Sequence, residues 1–168
     1  MEIRAATLED LTPVGELLVA CLNAGVGWLP EGDYSRNIPY RMKPNYALFV
    51  AERNESRGKA IAGFVECVRE MPPHPPEVSN LFVHPAFQGQ RVGLELFRHA
   101  VRYCGLGTLV STYARNTSAR KFFEGQGCVE VGRAPTYSLT DFMTGRTDDP
   151  NWRITYVVPQ DRIAALVG

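Results

Sequence analysis

Residues 77–104 carry an apolar run that stops at a proline and then opens, through a glycine-bearing turn, into a helical pattern. Val78, Leu81 and Val83 give the strand, Pro85 ends it, and Leu94, Phe97, Val101 and Cys104 recur at helical spacing. Strand, turn and helix in this order gather unpaired backbone N–H groups and the positive end of a helix dipole at one spot. Such a spot suits a phosphate held by main chain rather than by a metal. The ligand expected here is phosphorylated.

The flanking pattern supplies the remaining elements. Residues 1–6 read as a first strand. Thr7 then offers a hydroxyl cap, with Glu9 and Asp10 in the first turn of a helix running to about Asn23. Residues 28–46, with Pro30, Pro39 and Pro44, read as short helix or loop. Two strands over 46–52 and 59–69 flank a hairpin composition at 54–58, and Pro72, Pro73, Pro75 and Pro76 mark the next connection. Beyond the central helix come a strand at 108–114, a short helix at 117–124 closed by Gly125 and Gly127, and strands at 128–133 and 152–158. The order β-α-α-β-β-β-α-β-α-β-β predicts an α/β (α+β) domain spanning 1–168, a mixed sheet with helices on both faces. The crossover from strand 77–84 to strand 108–114 should be parallel and right-handed.

Composition narrows the ligand class. Eighteen basic and eighteen acidic residues leave no net charge, which argues against nucleic acid and an acidic membrane surface as partners. The longest apolar run, residues 17–22, is too short to span a bilayer, and the N-terminus lacks a signal-peptide pattern. Cys21, Cys67, Cys104 and Cys128 are scattered beside apolar patterns and read as small buried thiols in a cytoplasmic, reduced protein. His74, His84 and His99 share no metal-ligand spacing, so no metal is expected.

Neither the dinucleotide fingerprint nor the P-loop fits the turn: Gly89 and Gly93 have the wrong spacing for the first, and no Lys-Ser/Thr follows Gly93 for the second. Gln88-Gly89-Gln90-Arg91-Val92-Gly93, after Val83-His84-Pro85, resembles motif A of the GNAT superfamily of N-acetyltransferases, [RQ]-x-x-G-x-[GA]. Arg91 stands where that family usually has its first glycine, and it demands a backbone angle a non-glycine residue tolerates. Asn116-x-x-Ala119-x-x-x-Phe123-x-x-x-Gly127 is similar to motif B, one strand later. The Arg4-x-Ala-x-x-x-Asp10 start and the element order extend the likeness more weakly over the whole chain.

The resemblance implies a mostly antiparallel central sheet of about seven strands with a splayed parallel pair. It implies acetyl-CoA as cosubstrate, its pyrophosphate on the backbone of residues 88–93 and its pantetheine arm beside Leu81, Phe82, Val83, Asn116, Ala119, Phe122 and Phe123. Asn116 is equally well placed as a helix cap. A main-chain N–H near Phe82 or Val83 would donate to the oxyanion.

Glu77 lies eleven positions before Gln88, where some family members place a catalytic glutamate, and is the first candidate for general base. Asn80 as a polar positioner and Glu66 are weaker candidates. Phe123 replaces the tyrosine that motif B offers as acid, leaving Tyr113, Tyr137, Tyr156 or water for that role. The family's acceptor loops correspond to residues 25–40, with Trp28, Glu31, Asp33 and Tyr34, and to 134–151, with Asp141, Asp148 and Asp149. Aromatics with carboxylates suit a cationic amine. The expected reaction is acetyl transfer to the primary amine of a small molecule; a non-catalytic acyl-CoA-binding module and a protein or peptide N-acetyltransferase are the alternatives. Homodimers through the C-terminal strands are common in such folds.

Overall fold

The computed structural model describes residues 1–24, 46–56, 58–69, 73–136 and 151–167. The acceptor-loop candidates Trp28, Glu31, Asp33 and Tyr34 lie outside the described residues, as do Tyr137, Asp141, Asp148 and Asp149. The elements are β1 (Glu2–Ala5), α1 (Leu11–Asn23), β2 (Tyr46–Glu55), β3 (Gly58–Val68), β4 (Glu77–Val83), α2 (Val92–Cys104), β5 (Leu109–Tyr113), α3 (Thr117–Gly125), β6 (Val129–Thr136), β7 (Asn151–Val157) and α4 (Gln160–Val167). Seven strands form one sheet in the order β1-β2-β3-β4-β5-β7-β6. Every neighbouring pair is antiparallel except β4 and β5.

Side-chain alternation along the strands divides the core in two. Phe49, Val65, Cys67, Val78, Val110, Ile154 and Tyr156 turn to one face, where Leu96, Phe97 and Val101 of α2 and Phe123 of α3 cover them. Val50 and Phe64 turn to the other face, under Val14, Leu17, Leu18 and Cys21 of α1. Val14, Leu18 and Cys21 stand four and three residues apart, which sets them on one stripe of the helix.

The start of α1 is tighter than the sequence implies. Leu8–Asp10 forms a 3-10 turn, and buried Asp10 folds back to accept from Thr7 N (2.7 Å) and from both terminal nitrogens of Arg4 (2.7 and 2.9 Å). Arg4 also reaches Glu52 on β2 (2.8 Å), so this cluster clamps the first crossover to the sheet.

Three boundaries differ from expectation. β2 and β3 stay paired as far as Glu55↔Gly58, so Asn54 and Glu55 belong to the ladder rather than to the turn. β6 runs on to Thr136 because β7 supplies a partner along that length. A C-terminal helix, α4, follows the last strand. It is short, and what holds it is contact with other elements, Ile163 packing against the α2-side core.

A cleft where two parallel strands part

The β3–β4 register runs Phe64↔Phe82, Val65↔Leu81, Glu66↔Asn80 and then Cys67↔Val78, which leaves Ser79 as an extra residue in β4. Such a bulge bends its strand and increases the local twist. β4 pairs with β5 at two positions, Glu77↔Leu109 and Val78↔Val110, and the two strands separate beyond them. The bulge thus sits where parallel pairing ends. A cleft of about 320 Å³ opens from there, within the usual range for a small-molecule site.

One wall is β4, from Val78 through Asn80, Leu81, Phe82 and Val83; the other is β5 and α3, from Val110 through Tyr113, Asn116, Ala119, Phe122 and Phe123. Gln88 and Gly93 close the end. His84 N donates to Ala62 O (2.9 Å), and amide directions alternate along an antiparallel strand. The amides of Leu81 and Val83 therefore point away from β3, toward the cleft, whereas that of Phe82 points to β3. Of the two amides expected as candidate donors, that of Val83 is the one aimed at the cleft. Phe82 lines the cleft by its side chain and stacks on Phe64, ring centroids 5.4 Å apart.

The turn that follows β4 is held by its own side chains. Gln88 Nε2 donates to Val83 O (3.2 Å) and Gln90 Nε2 to Ala86 O (3.1 Å), while Gln90 Oε1 accepts from Arg53 on β2. Gly89 has φ 74° and Arg91 φ 64°, so two left-handed residues flank Gln90 just before α2. Backbone N–H groups set this way form an anion-binding concavity, and an α-helix leaves its first N–H groups without intrahelical partners. A Cβ at Gly93 would lie 3.3 Å from Val83 Cγ2, so glycine keeps the helix start close to the strand end. Val92 takes part by main chain only, its side chain being buried in the core. This donor set fits a pyrophosphate.

Asn116 caps α3, its Oδ1 accepting from Ala119 N (3.0 Å), and it lines the cleft as well. The side-chain amide is thereby oriented with Nδ2 as its remaining donor. Phe123 packs on Phe97, Phe122 and Tyr156 in the core while presenting an edge to the cleft. Tyr156 is buried and donates to Glu124 (3.1 Å), with burial pushing its hydroxyl pKa up. Tyr113, in contrast, lines the cleft.

Glu77 stands at the closed root of the cleft rather than along its wall. Its carboxylate accepts from Arg153 of β7 (2.6 Å). Buried Glu66 accepts from Asn80 Nδ2 (2.5 Å). By alternation Glu66, Asn80, Ser111, Tyr113, Arg153 and Thr155 all face the side opposite α2, and Ser111 and Thr155 share a hydrogen bond (3.2 Å). Of these, Asn80, Ser111 and Tyr113 line the cleft and give it a polar patch on that face, beside Phe82.

Two residues near the turn escape sequence reasoning. Arg53 arrives from β2, lying over the Phe87 ring at 5.4 Å as well as bonding Gln90. Gly63 on β3 lets α2 settle on the sheet, since a Cβ there would meet Phe82 O at 2.8 Å and Leu96 Cδ1 at 2.9 Å. Only contacts between distant segments identify either one.

Among the described residues, no cluster of three metal-ligating side chains is present, and no helix is long and apolar enough to cross a membrane. The profile of the Acetyltransferase (GNAT) family matches residues 12–128. Among curated proteins, none matches the sequence. Similar solved structures include the ribosomal-protein-S18-alanine N-acetyltransferase of Escherichia coli, at 17% identity over 94% of this chain and 92% of that one, TM-score 0.70. A GNAT-family acetyltransferase from Bacillus cereus aligns at 14% identity over 95% and 96%, TM-score 0.68. A Salmonella typhimurium protein assigned as an acetyltransferase, solved with its cofactor acetyl-CoA, aligns at 16% identity over 96% and 94%, TM-score 0.66.

Proposed function

The chain belongs to the acetyltransferase (GNAT) family, and from that premise we propose that it moves an acetyl group from acetyl-CoA directly to a primary amine of a small molecule. The observation that carries this reading is the cleft that opens at the Ser79 bulge and ends on the donor-rich turn at Gln88–Gly93. In this reading the turn amides and the α2 dipole hold the pyrophosphate, with Arg91 and Arg53 adding charge. Asn116 Nδ2 donates to the pantetheine arm, and Ala119, Phe122 and Phe123 pack beside it. Acetyl-CoA, when bound, supplies the activated acyl group as a thioester.

The chain's own residues do the rest. Val83 N–H donates to the carbonyl oxygen as negative charge builds there. Glu77, held by Arg153, takes the proton from the incoming amine, directly or through water. Asn80, fixed by Glu66, positions the amine on the polar face of the cleft. Phe123 has no proton to give, so Tyr113 or water protonates the departing thiolate.

Ligand binding and turnover are tested separately. Saturating acetyl-CoA or CoA, at about 100 times Kd, should stabilise the fold by about 2.7 kcal/mol, and NAD should not. Absence of a shift with either CoA species would remove the site assignment. Thiol release across an amine panel then reads turnover. Glu77→Gln should lower kcat by about 10²–10⁴ with the acetyl-CoA shift intact; an unchanged kcat would rule out Glu77 as base. Phe123 in place of a tyrosine favours one other reading, a binding module without turnover. Intact binding with silence across small amines and peptides would select it.

A further inference from the structure

Two of the four thiols meet behind the root of the cleft. Cys67 on β3 is fully buried and turns to the α2 face together with Val65 and Val78. Cys104 is the last residue of α2 and is half-buried. Its Sγ donates to Val68 O (3.9 Å) and Glu77 O (3.8 Å), two residues that face each other across β3 and β4. The adjacent pair in that ladder is Cys67↔Val78. Cys104 thus lies over the strand junction from which the Cys67 side chain rises, which makes the two thiols neighbours.

Their surroundings make the two sulfurs unequal. Arg69, just past β3, stacks its guanidinium over the Tyr103 ring (4.4 Å to the centroid), which brings positive charge beside Cys104. The neighbouring Cys67 thiol, helped by Arg69, holds the Cys104 thiol pKa below its ordinary value against burial and the Glu77 carboxylate. The neighbouring Cys104 thiol, together with burial, pushes Cys67 up. The other thiols lack such a neighbour: burial raises Cys21 and Cys128 to about 11 each. A part-exposed sulfur beside an arginine, set against a fully buried one, is the arrangement of an attacking and a resolving cysteine.

We propose that Cys104 and Cys67 form a thiol-modification site that oxidants of the peroxide class convert to an intrachain disulfide between β3 and the end of α2. The Cys104 thiolate sulfur attacks one peroxide oxygen and the O–O bond breaks. Hydroxide leaves and takes up a proton as water, and Cys104 carries a sulfenic acid. The Cys67 sulfur then attacks the sulfenic sulfur, and its proton departs with the hydroxyl group as a second water. In total the two thiols lose two hydrogens and the peroxide is reduced to two waters. Closure to an S–S bond of about 2.0 Å would bring these two neighbouring side chains together over the β3–β4 junction. The bridge would join strand and helix beside the point where β4 and β5 part.

The test treats the full-length protein with hydrogen peroxide near stoichiometry. Free thiols are then alkylated and the protein is digested without reduction for peptide mass mapping. The Cys67 and Cys104 peptides should appear joined and separate again with dithiothreitol, while Cys21 and Cys128 are recovered alkylated. In Cys104→Ser the joined species should vanish and peroxide consumption fall at least tenfold. In Cys67→Ala, with its fold checked by thermal melting, Cys104 should stop at a sulfenic acid captured by a dione probe. Oxidation of Cys104 no faster than of Cys21 or Cys128 would overturn the proposal. So would an oxidised Cys104 in the unsubstituted chain that never pairs with Cys67.

Discussion

Arg91 holds φ at 64° and ψ at 5°, alone among the described non-glycine residues in having a positive φ. A left-handed backbone at a residue with a Cβ costs about 1–2 kcal/mol. At a site where glycine would relieve it, the side chain must supply the reason, and a guanidinium beside a phosphate turn is one. Backbone and side chain are separable by substitution. Arg91→Gly should be more stable than Arg91→Ala by about 1 kcal/mol in thermal melts without ligand, since only alanine retains the strain. Both variants should bind CoA more weakly, with a smaller thermal shift than the unsubstituted chain. Equal melting temperatures for the two would mean that the left-handed turn is not there in solution. The sequence exposed this tension, because an arginine at a glycine position is visible in one dimension. Its resolution by strain rather than by a different turn is a property of the folded backbone.

At the scale of elements, the cleft depends on two devices that the sequence carries without announcing. One is the bulge at Ser79, which bends β4 where its parallel pairing with β5 ends. Strand 77–84 reads as an ordinary alternating run, and a bulge becomes apparent only when the partner strand sets the count. The other is Gly63, a mid-strand glycine with no turn nearby. Gly63→Ala drives a methyl group toward a backbone oxygen that cannot step aside, so it should destabilise the fold by about 1–3 kcal/mol. It should also push the start of α2 off the sheet, reducing the acetyl-CoA thermal shift although no ligand-facing residue changes. A Gly63→Ala protein that melts and binds like the parent would show that α2 is not seated as described. α1, α2 and α3, by contrast, were legible as helices, since apolar spacing of three and four residues needs no partner to be recognised.

For the whole molecule, the first crossover is fastened by charge as well as by apolar packing. Asp10 is buried, and the hydrogen bonds from Arg4, then those from Thr7, hold its carboxyl well below the ordinary 3.8. A folded-state pKa lowered in this way contributes stability that is complete above about pH 4. That stability is lost as pH falls through the folded value. Melting temperature should therefore drop as the pH is taken from about 4 to about 2. Asp10→Asn keeps a capping side chain but loses the charge. It should lose about 1–3 kcal/mol at neutral pH and show a flatter acid limb. An acid limb identical to the parent's would show that Asp10 is not the group responsible. Arg4 and Asp10 are legible in the sequence as part of a resemblance; Glu52, which completes the cluster from β2, is not.

The sequence by itself determined the order of the seven strands and of α1, α2 and α3 among the described residues, and the family motifs at 88–93 and 116–127. Each of these is written in residues a few positions apart, where propensity, spacing and turn chemistry act locally. Only the tertiary structure decided that β4 and β5 part at Ser79, that Val83 rather than Phe82 turns its amide to the cleft, and that Glu77 is held by Arg153. It alone set Cys104 over the β3–β4 junction beside Cys67. These facts depend on strand register, and one extra residue in a ladder reverses which side every later group faces. Register is settled by packing among segments far apart in the chain, which no local pattern encodes.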